Sequence, residues 1–222
     1  MSGAWEVRQA NKMLLGILHT EIVSFAWSVS FKQLMVPGHI FPITGAPFDN
    51  ARNIACQKVL ESGMEWLAFL DSDVRPQPDA FLRLLAHNKP IVSGVYHRRS
   101  PPHGVPVAQK RYGGGRTWLK YLPSQGLMEV DVCGAGLMVI HRSVLERVAA
   151  NPIHPTKKWF FWGVDQQGHV PPEYGQSEDF SFNSHCWKMG IPILVDCSVR
   201  AKHTGLADFD SDGAKPVEVI PV

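Results

Sequence analysis

The sequence lacks a strong charge of either sign. Among its 222 residues, 22 Lys and Arg stand against 20 Asp and Glu, which gives a net charge of +2. This balance supplies no overall reason to expect nucleic acid as a partner. With 45% apolar and 19% charged residues, the chain also lacks the composition of disordered proteins. We therefore expect one α/β domain over residues 1–222, with its core at 13–205 and a polar C-terminal tail at 206–222.

Paired cysteines and long apolar runs are also missing. The four cysteines, Cys56, Cys133, Cys186 and Cys197, form no C-x-x-C pair, which argues against a zinc ribbon or a disulfide scaffold and favours reduced thiols in the cytoplasm. The start of the chain offers only the short apolar run Met13–Leu18, far below the ~20 residues of a membrane span. We expect a cytoplasmic protein without a transmembrane segment, which leaves peripheral contact with a membrane surface open.

Several familiar catalytic motifs are absent. The sequence contains no G-x-x-x-x-G-K-[ST], no G-x-G-x-x-G after a strand and no G-x-S-x-G. It therefore lacks the motifs that define kinases, dehydrogenases and common esterases. The segment Asp208–Gly213 begins like a calcium-binding EF-hand loop, but its twelfth position is Val219 instead of Glu. We interpret it as part of the tail.

What the sequence does contain is an alternation of apolar runs and helical patterns. Strands are expected at 13–18, 65–70, 90–96, 128–133, 137–141 and 191–195. Helices are expected at 21–36, 49–62, 79–87, 143–150 and 177–189. Strands and helices that alternate through short connections predict a mostly parallel sheet with helices on both faces.

Two carboxylates follow the second expected strand. Asp71-Ser72-Asp73 comes directly after an apolar run, so both acids emerge at the carboxyl end of the sheet, where open α/β folds bind ligands. In an extended backbone Asp71 and Asp73 leave on the same side, about 7 Å apart. Both carboxylates can then bind one divalent ion, because such ions prefer oxygen ligands. The alternative is a solvated turn, because Asp and Ser favour turns.

Two further groups can carry chemistry, each with a structural alternative. Glu178 and Asp179 open an expected helix, where acids either stabilise the positive helix end or act as a general base toward a bound hydroxyl. His203 follows the strand-like run 196–202 and is either an ordinary surface or core residue or a metal ligand.

A long segment is free of acids. Residues 80–128 contain no Asp or Glu but eight Lys and Arg: Arg83, Lys89, Arg98, Arg99, Lys110, Arg111, Arg116 and Lys120. The segment is either a solvated loop face or an electropositive flap that closes over an anionic ligand. No recognisable nucleic-acid-binding module accompanies it, so we do not expect nucleic acid to bind.

The order of the motifs resembles a known family. The motifs are Ala51-Arg52-Asn53, Phe69-Leu70-Asp71-Ser72-Asp73, Val92-Ser93-Gly94, Gly134-Ala135-Gly136, Ser177-Glu178-Asp179 and Val199-Arg200-Ala201-Lys202-His203. From about residue 13 to 205 this order resembles the small, single-domain, family-2-like glycosyltransferases of the glycosyltransferase-A fold. The resemblance implies a Rossmann-like, mostly parallel mixed sheet. It also implies metal-dependent transfer of one sugar from a UDP- or GDP-linked donor to a hydroxyl acceptor.

The resemblance also implies roles for individual residues on the donor side. His19 and Thr20 would lie by the nucleotide base, Arg52 would help neutralise the donor phosphate, and Asp71, followed by Ser72, would lie near the ribose. The metal, Mn²⁺ or Mg²⁺, would be bound by Asp73 with the diphosphate and by His203, with Asp71 as a further acid beside it.

On the acceptor side, the resemblance matches Glu178 and Asp179 to an acidic pair, with Asp179 as the catalytic base of inverting members. Gly134, Ala135 and Gly136 would let acceptor and donor sugar approach the backbone. The Q-x-x-R-W motif of processive synthases is absent, which favours transfer of a single sugar. A sugar-nucleotide nucleotidyltransferase and a non-catalytic nucleotide-sugar-binding module remain as alternatives.

Overall fold

The structure is a computed structural model that describes residues 12–19, 21–99, 104–112, 115–152, 157–162, 177–205, 208–210 and 213–215. The strands of these residues are β1 (Met13–Leu18), β2 (His39–Ile43), β3 (Trp66–Asp71), β4 (Val74–Pro76), β5 (Ile91–Val95), β6 (Ala108–Tyr112), β7 (Gly115–Trp118), β8 (Leu127–Val130), β9 (Val132–Cys133), β10 (Leu137–His141), β11 (Ile193–Thr204), β12 (Asp208–Asp210) and β13 (Gly213–Lys215). The helices are α1 (Phe25–Gln33), α2 (Phe48–Ser62), α3 (Ala80–Ala86), α4 (Arg142–Ala150) and α5 (Glu178–Lys188).

The large sheet is mixed, and its strand order is β13-β12-β11-β5-β10-β3-β1-β2. Strand β1 pairs in parallel with β2 and β3, and β11 pairs in parallel with β5. Strand β10 lies antiparallel between β3 and β5. The five strands β1, β2, β3, β5 and β11 therefore run in one direction, and the α/β class expected from the alternating pattern is confirmed.

Helices cover both faces of this sheet and divide its core into two layers. On one face, α2, α4 and α5 pack against side chains such as Leu67, Phe69 and Ile140. On the other face, α1 and α3 pack against Leu70, Val92 and Val139. Because the central strands are covered on both sides, they are continuous apolar runs rather than alternating ones.

Helix boundaries follow the expected signals with local corrections. Gly63 ends α2 with a φ of 70°, the left-handed conformation that favours glycine. The helix begins at Phe48, so Asp49 lies in its first turn instead of at the cap. On α3, Leu82 is 41% exposed, because its position falls on the outer side of this short helix.

Several strands were not expected from the sequence, and the expected strand 128–133 is divided between β8, which pairs with β11, and β9, which pairs with β6. Strands β6, β7 and β9 form a second, small sheet in order β7-β6-β9, which contains part of the acid-free segment. The expected tail beyond residue 205 contributes β12 and β13, which extend the large sheet from β11.

Among the helices of the described residues, none has the length and apolar character that crossing a bilayer requires.

A buried polar cluster joins α3 to β11. The Asp196 carboxylate contacts Nε2 of His87 at 2.7 Å and accepts hydrogen bonds from the backbone N–H and hydroxyl of Ser198. Burial would raise the pKa of Asp196, but the hydrogen bonds from His87 and Ser198 outweigh this effect and lower it. Since the folded pKa lies below the unfolded value, the carboxylate stabilises the fold above that unfolded value, ~3.9.

We expect Asp196→Asn to lower the free energy of unfolding at pH 7 by about 1.5–3 kcal/mol, the range for hydrogen bonds to a charged group. The deficit should shrink as the pH falls below ~4, because the wild-type carboxylate then becomes protonated as well. Urea unfolding across this pH range measures it, with the exposed Glu61→Gln as the matched control. A deficit that is the same at every pH would contradict the assigned charge.

Candidate functional site

Strand pairing brings two of the expected metal ligands together. The short strand β4 pairs antiparallel with β11, and Val74 lies opposite His203. Asp73 immediately precedes Val74, and its carbonyl accepts a 2.6 Å hydrogen bond from the N–H of Thr204. Residues 130 positions apart in sequence are thus neighbours at the carboxyl edge of the sheet. Nε2 of His203 lies 3.5 Å from Oδ2 of Asp73.

The ring of His203 is held in the orientation that a metal ligand needs. Its Nδ1 lies 2.8 Å from the carbonyl oxygen of His97, and a carbonyl only accepts, so Nδ1 is the donor. Nε2 is then the nitrogen that faces Asp73. Ligating histidines typically bond a carbonyl or carboxylate through the other ring nitrogen. At this separation an imidazole nitrogen and a carboxylate oxygen are compatible with two ligands of one divalent cation.

An arginine side chain reaches the same carboxylate. Nη2 of Arg99 lies 3.0 Å from Oδ2 of Asp73. Burial would raise the pKa of Asp73, but the hydrogen bond and charge of His203 and the charge of Arg99 outweigh it and lower this pKa. Asp73 is therefore ionised at neutral pH and available as an oxygen ligand.

Asp71 does not share this position with Asp73. Both of its carboxylate oxygens accept hydrogen bonds from Nη2 of Arg52 at 3.1 Å. Ser72 and Asp73 form a turn rather than continuing the strand, so the two acids diverge, contrary to the extended geometry assumed from sequence. Among the described residues, no group of three or more His, Cys, Asp or Glu side chains can hold a metal. The structure therefore does not bring Asp71 together with Asp73 and His203 as the expected three-residue set.

Arg52 lies beneath the site and is only 2% exposed. Its Nε donates to Glu178 at 3.0 Å, and its guanidinium lies over the rings of Phe69 and Phe160. Burial would lower the pKa of Arg52, but the charges of Asp71, Glu178 and Asp179 raise it, so the guanidinium stays protonated. Arg52 was expected to help neutralise the donor phosphate, and its burial does not suit direct contact with a phosphate. Arg52 is instead the counter-ion that holds acids of two elements together, Asp71 at the end of β3 and Glu178 at the start of α5.

The two acids that open α5 have different surroundings. Glu178 is 5% exposed and is occupied by Arg52, which does not suit the role of a base toward an acceptor. Asp179 is half-buried, and its Oδ2 accepts a 3.3 Å hydrogen bond from the N–H of Ala135. Its Oδ1 accepts hydrogen bonds from the N–H of Phe180 and the hydroxyl of Ser177. Asp179 is therefore the acid of this pair whose position suits proton transfer.

The turn Gly134-Ala135-Gly136 lies close to the acids. A Cβ added at Gly136 would approach Oδ2 of Asp71 to 2.9 Å, and one at Gly134 would meet the hydroxyl of Tyr96 at 1.9 Å. Glycine is therefore required for packing at both positions. The hydroxyl of Tyr96 accepts a hydrogen bond from the N–H of Gly136, and burial raises the pKa of this hydroxyl well above its ordinary value.

The remaining residues expected on the donor side lie at the same sheet edge where they are described. His19 follows β1, and its N–H bonds the carbonyl of Ile43. Ser72 bonds the carbonyl of Leu18 through its N–H. Thr20 falls outside the described residues.

Sequence reasoning missed Tyr96, His97 and, as a member of the site, Arg99. The ring of Tyr96 makes an edge contact with the ring of His203, 5.2 Å between centroids. All three residues directly follow β5. The rule that singled out Asp71 and Asp73, that ligand-binding groups follow the carboxyl ends of strands, applies equally to residues 96–99 and could have identified them.

Comparisons with known proteins give a fold but no family. No protein-family model matches the sequence, and no curated protein matches it. Solved structures do match, in 130 chains. One is the crystal structure of A197 from STIV, which is 20% identical, with a TM-score of 0.64 over 95% of this chain and 97% of A197. At that identity the similarity shows the fold alone.

These comparisons correct the family assignment made from the motif order. Membership of the family-2-like glycosyltransferases is wrong as an assignment, because no family model matches and the likeness to A197 is structural, at 20% identity. The chain is a mixed α/β protein, and its activity has to be argued from its own side chains.

Proposed function

We propose that the protein transfers one sugar from a nucleotide-diphosphate sugar to a hydroxyl acceptor and that Asp73 and His203 hold the divalent cation, Mn²⁺ or Mg²⁺, that this reaction uses. The observation that carries the proposal is the 3.5 Å approach of His203 Nε2 to Asp73 Oδ2. The proposal includes the fold, as a Rossmann-like sheet of the glycosyltransferase-A type.

The position of these side chains supports a nucleotide-linked substrate. They lie at the carboxyl edge of parallel strands, where open α/β sheets bind ligands. The same edge carries Arg99, whose guanidinium forms paired hydrogen bonds with phosphate as readily as with a carboxylate. A cation beside a guanidinium is a suitable arrangement for a diphosphate.

The proposed reaction needs a cation site and a base, and different side chains supply them. Breaking a sugar–phosphate bond leaves negative charge on the nucleoside diphosphate, and a divalent cation supplies positive charge where it develops. Asp73 and His203 would hold that cation from the protein side. Asp179 accepts the proton of the acceptor hydroxyl while the oxygen of that hydroxyl attacks the anomeric carbon. The N–H of Ala135 and the hydroxyl of Ser177 keep the Asp179 carboxylate in place.

Arg52 and the two acids with which it pairs, Asp71 and Glu178, fix this arrangement. Arg52 links Asp71, at the end of β3, to Glu178, at the start of α5. Asp73 lies two residues after Asp71, and Asp179 directly follows Glu178. The ion pairs therefore set the spacing between the proposed cation ligand and the proposed base, and positioning of this kind contributes strongly to catalysis.

The test is incubation of the protein with Mn²⁺ and a panel of UDP- and GDP-sugars, with and without simple sugar acceptors. Release of nucleoside diphosphate supports the proposal. Stabilisation against heat without release supports a non-catalytic binding module. Release of pyrophosphate from a sugar phosphate and a nucleoside triphosphate identifies a nucleotidyltransferase, and the absence of all three signals would contradict every one of these functions.

A further inference from the structure

One oxygen of the proposed cation site is already occupied by a side chain. Oδ2 of Asp73 is approached by Nη2 of Arg99 at 3.0 Å and by Nε2 of His203 at 3.5 Å. Nη1 of Arg99 donates a 3.3 Å hydrogen bond to the carbonyl of Thr204, the residue that follows His203. Arg99 therefore lies across the position that a divalent cation between Asp73 and His203 would take.

The Arg99 guanidinium and a divalent cation cannot use this oxygen at the same time. A cation binds carboxylate oxygen at roughly 2.0–2.6 Å, and a guanidinium has only donors and a positive charge. Two cations at one carboxylate oxygen repel each other and compete for the same lone pairs. Displacing Arg99 costs little, because the side chains of Arg99 and Asp73 are 45% and 31% exposed and exposed ion pairs contribute little to stability.

The surroundings of Arg99 determine where the displaced guanidinium can go. It belongs to residues 80–128, which contain no acid, so its own segment offers it no other carboxylate. The neighbouring Arg98 lies over the ring of Trp118, 4.4 Å from its centroid, and adds a second positive charge. An anion bound beside Asp73 is therefore the new partner that this location favours.

We propose that Arg99 exchanges partners: it pairs with Asp73 when no cation is bound, and it binds the diphosphate of the nucleotide once the cation has taken its place. This inference rests on the proposed function and adds a regulation to it. In the free protein the ion pair with Arg99 holds Asp73 in place. Cation binding frees the Arg99 guanidinium to bind the diphosphate, so that the cation and the nucleotide bind cooperatively.

The experiment measures two affinities in Arg99→Gln. Without the Arg99 guanidinium competing for Asp73, the affinity for Mn²⁺ alone should rise roughly twofold to fivefold, as expected for loss of an exposed ion pair. Removing the phosphate ligand should weaken binding of UDP or GDP at saturating Mn²⁺ by about tenfold or more. Mn²⁺ binding is followed by the loss of the free-ion EPR signal, and nucleotide binding by calorimetry.

The control is Lys89→Gln, an exposed residue of the same acid-free segment, which removes one positive charge and should change neither affinity. Unchanged or weaker Mn²⁺ binding in Arg99→Gln overturns the exchange, as does unchanged nucleotide binding. Arg99→Lys keeps the positive charge but lacks the paired N–H donors of the guanidinium. Its Mn²⁺ affinity should therefore return closer to the wild-type value than its nucleotide affinity does. A wild-type protein that binds no Mn²⁺ overturns the proposed function itself, and the exchange with it.

Discussion

Replacing Asp73 by Asn is expected to lower the rate of nucleoside diphosphate release at least ~100-fold and to remove its dependence on Mn²⁺. The amide keeps the shape of the carboxylate but loses the charge that a cation requires. Loss of one electrostatic contact to a developing charge typically costs about 3 kcal/mol of transition-state stabilisation, which corresponds to this change in rate. The measurement is the release rate across a Mn²⁺ titration.

His203→Ala should produce a loss of the same size, and the double variant should be little worse than either single one. Residues that act as a unit on one group give strongly non-additive effects. Losses that simply add would mean that Asp73 and His203 serve different purposes. The control is Glu65→Gln, because Glu65 pairs with Lys12 at the opposite end of β3 and should leave the rate unchanged.

Local elements could be predicted from the sequence because their signals are local. The apolar run 13–18 is β1 at the expected bounds, and the run 137–141 is β10. Strands β12 and β13 were missed because three-residue strands carry no periodicity, and β6 was missed because its three central residues are all polar, so that it shows neither an apolar run nor an alternating pattern. Pairing between distant strands has no local signal. The register of β4 on β11 places Asp73 beside His203. The register itself was not predicted, and only the resemblance in motif order implied that these two residues lie together.

The detailed roles in the site could not be predicted, because they depend on burial and side-chain direction. Arg52 was expected to face phosphate, yet it lies under the site with its Nη1 buried and unpaired among the described residues. Asp71 and Asp73 were expected to act together, yet the turn at Ser72 separates them. A sequence specifies which charges exist, but only the packed structure shows which charge neutralises which.

Arg52→Met is expected to lower the free energy of unfolding by about 3–5 kcal/mol, the usual cost of removing one partner from a buried ion pair. Met has a similar length and remains apolar against Phe69 and Phe160, so the loss reports mainly the uncompensated carboxylates of Asp71 and Glu178. Urea unfolding at pH 7 measures it. Lys58→Met, at an exposed position of the same helix, should change stability by no more than ~0.5 kcal/mol.

The triple variant Arg52→Met, Asp71→Asn, Glu178→Gln separates loss of charge balance from loss of packing. If the cost of Arg52→Met comes from two buried negative charges without a partner, neutralising both should return much of the stability, since replacing all members of a buried charge network is far less costly than removing one. A triple variant as unstable as Arg52→Met would instead place the effect in the contacts of the guanidinium with the two rings. Asp73 and Asp179 are not substituted in the triple variant, so its rate of nucleoside diphosphate release reports how strongly these ion pairs position them.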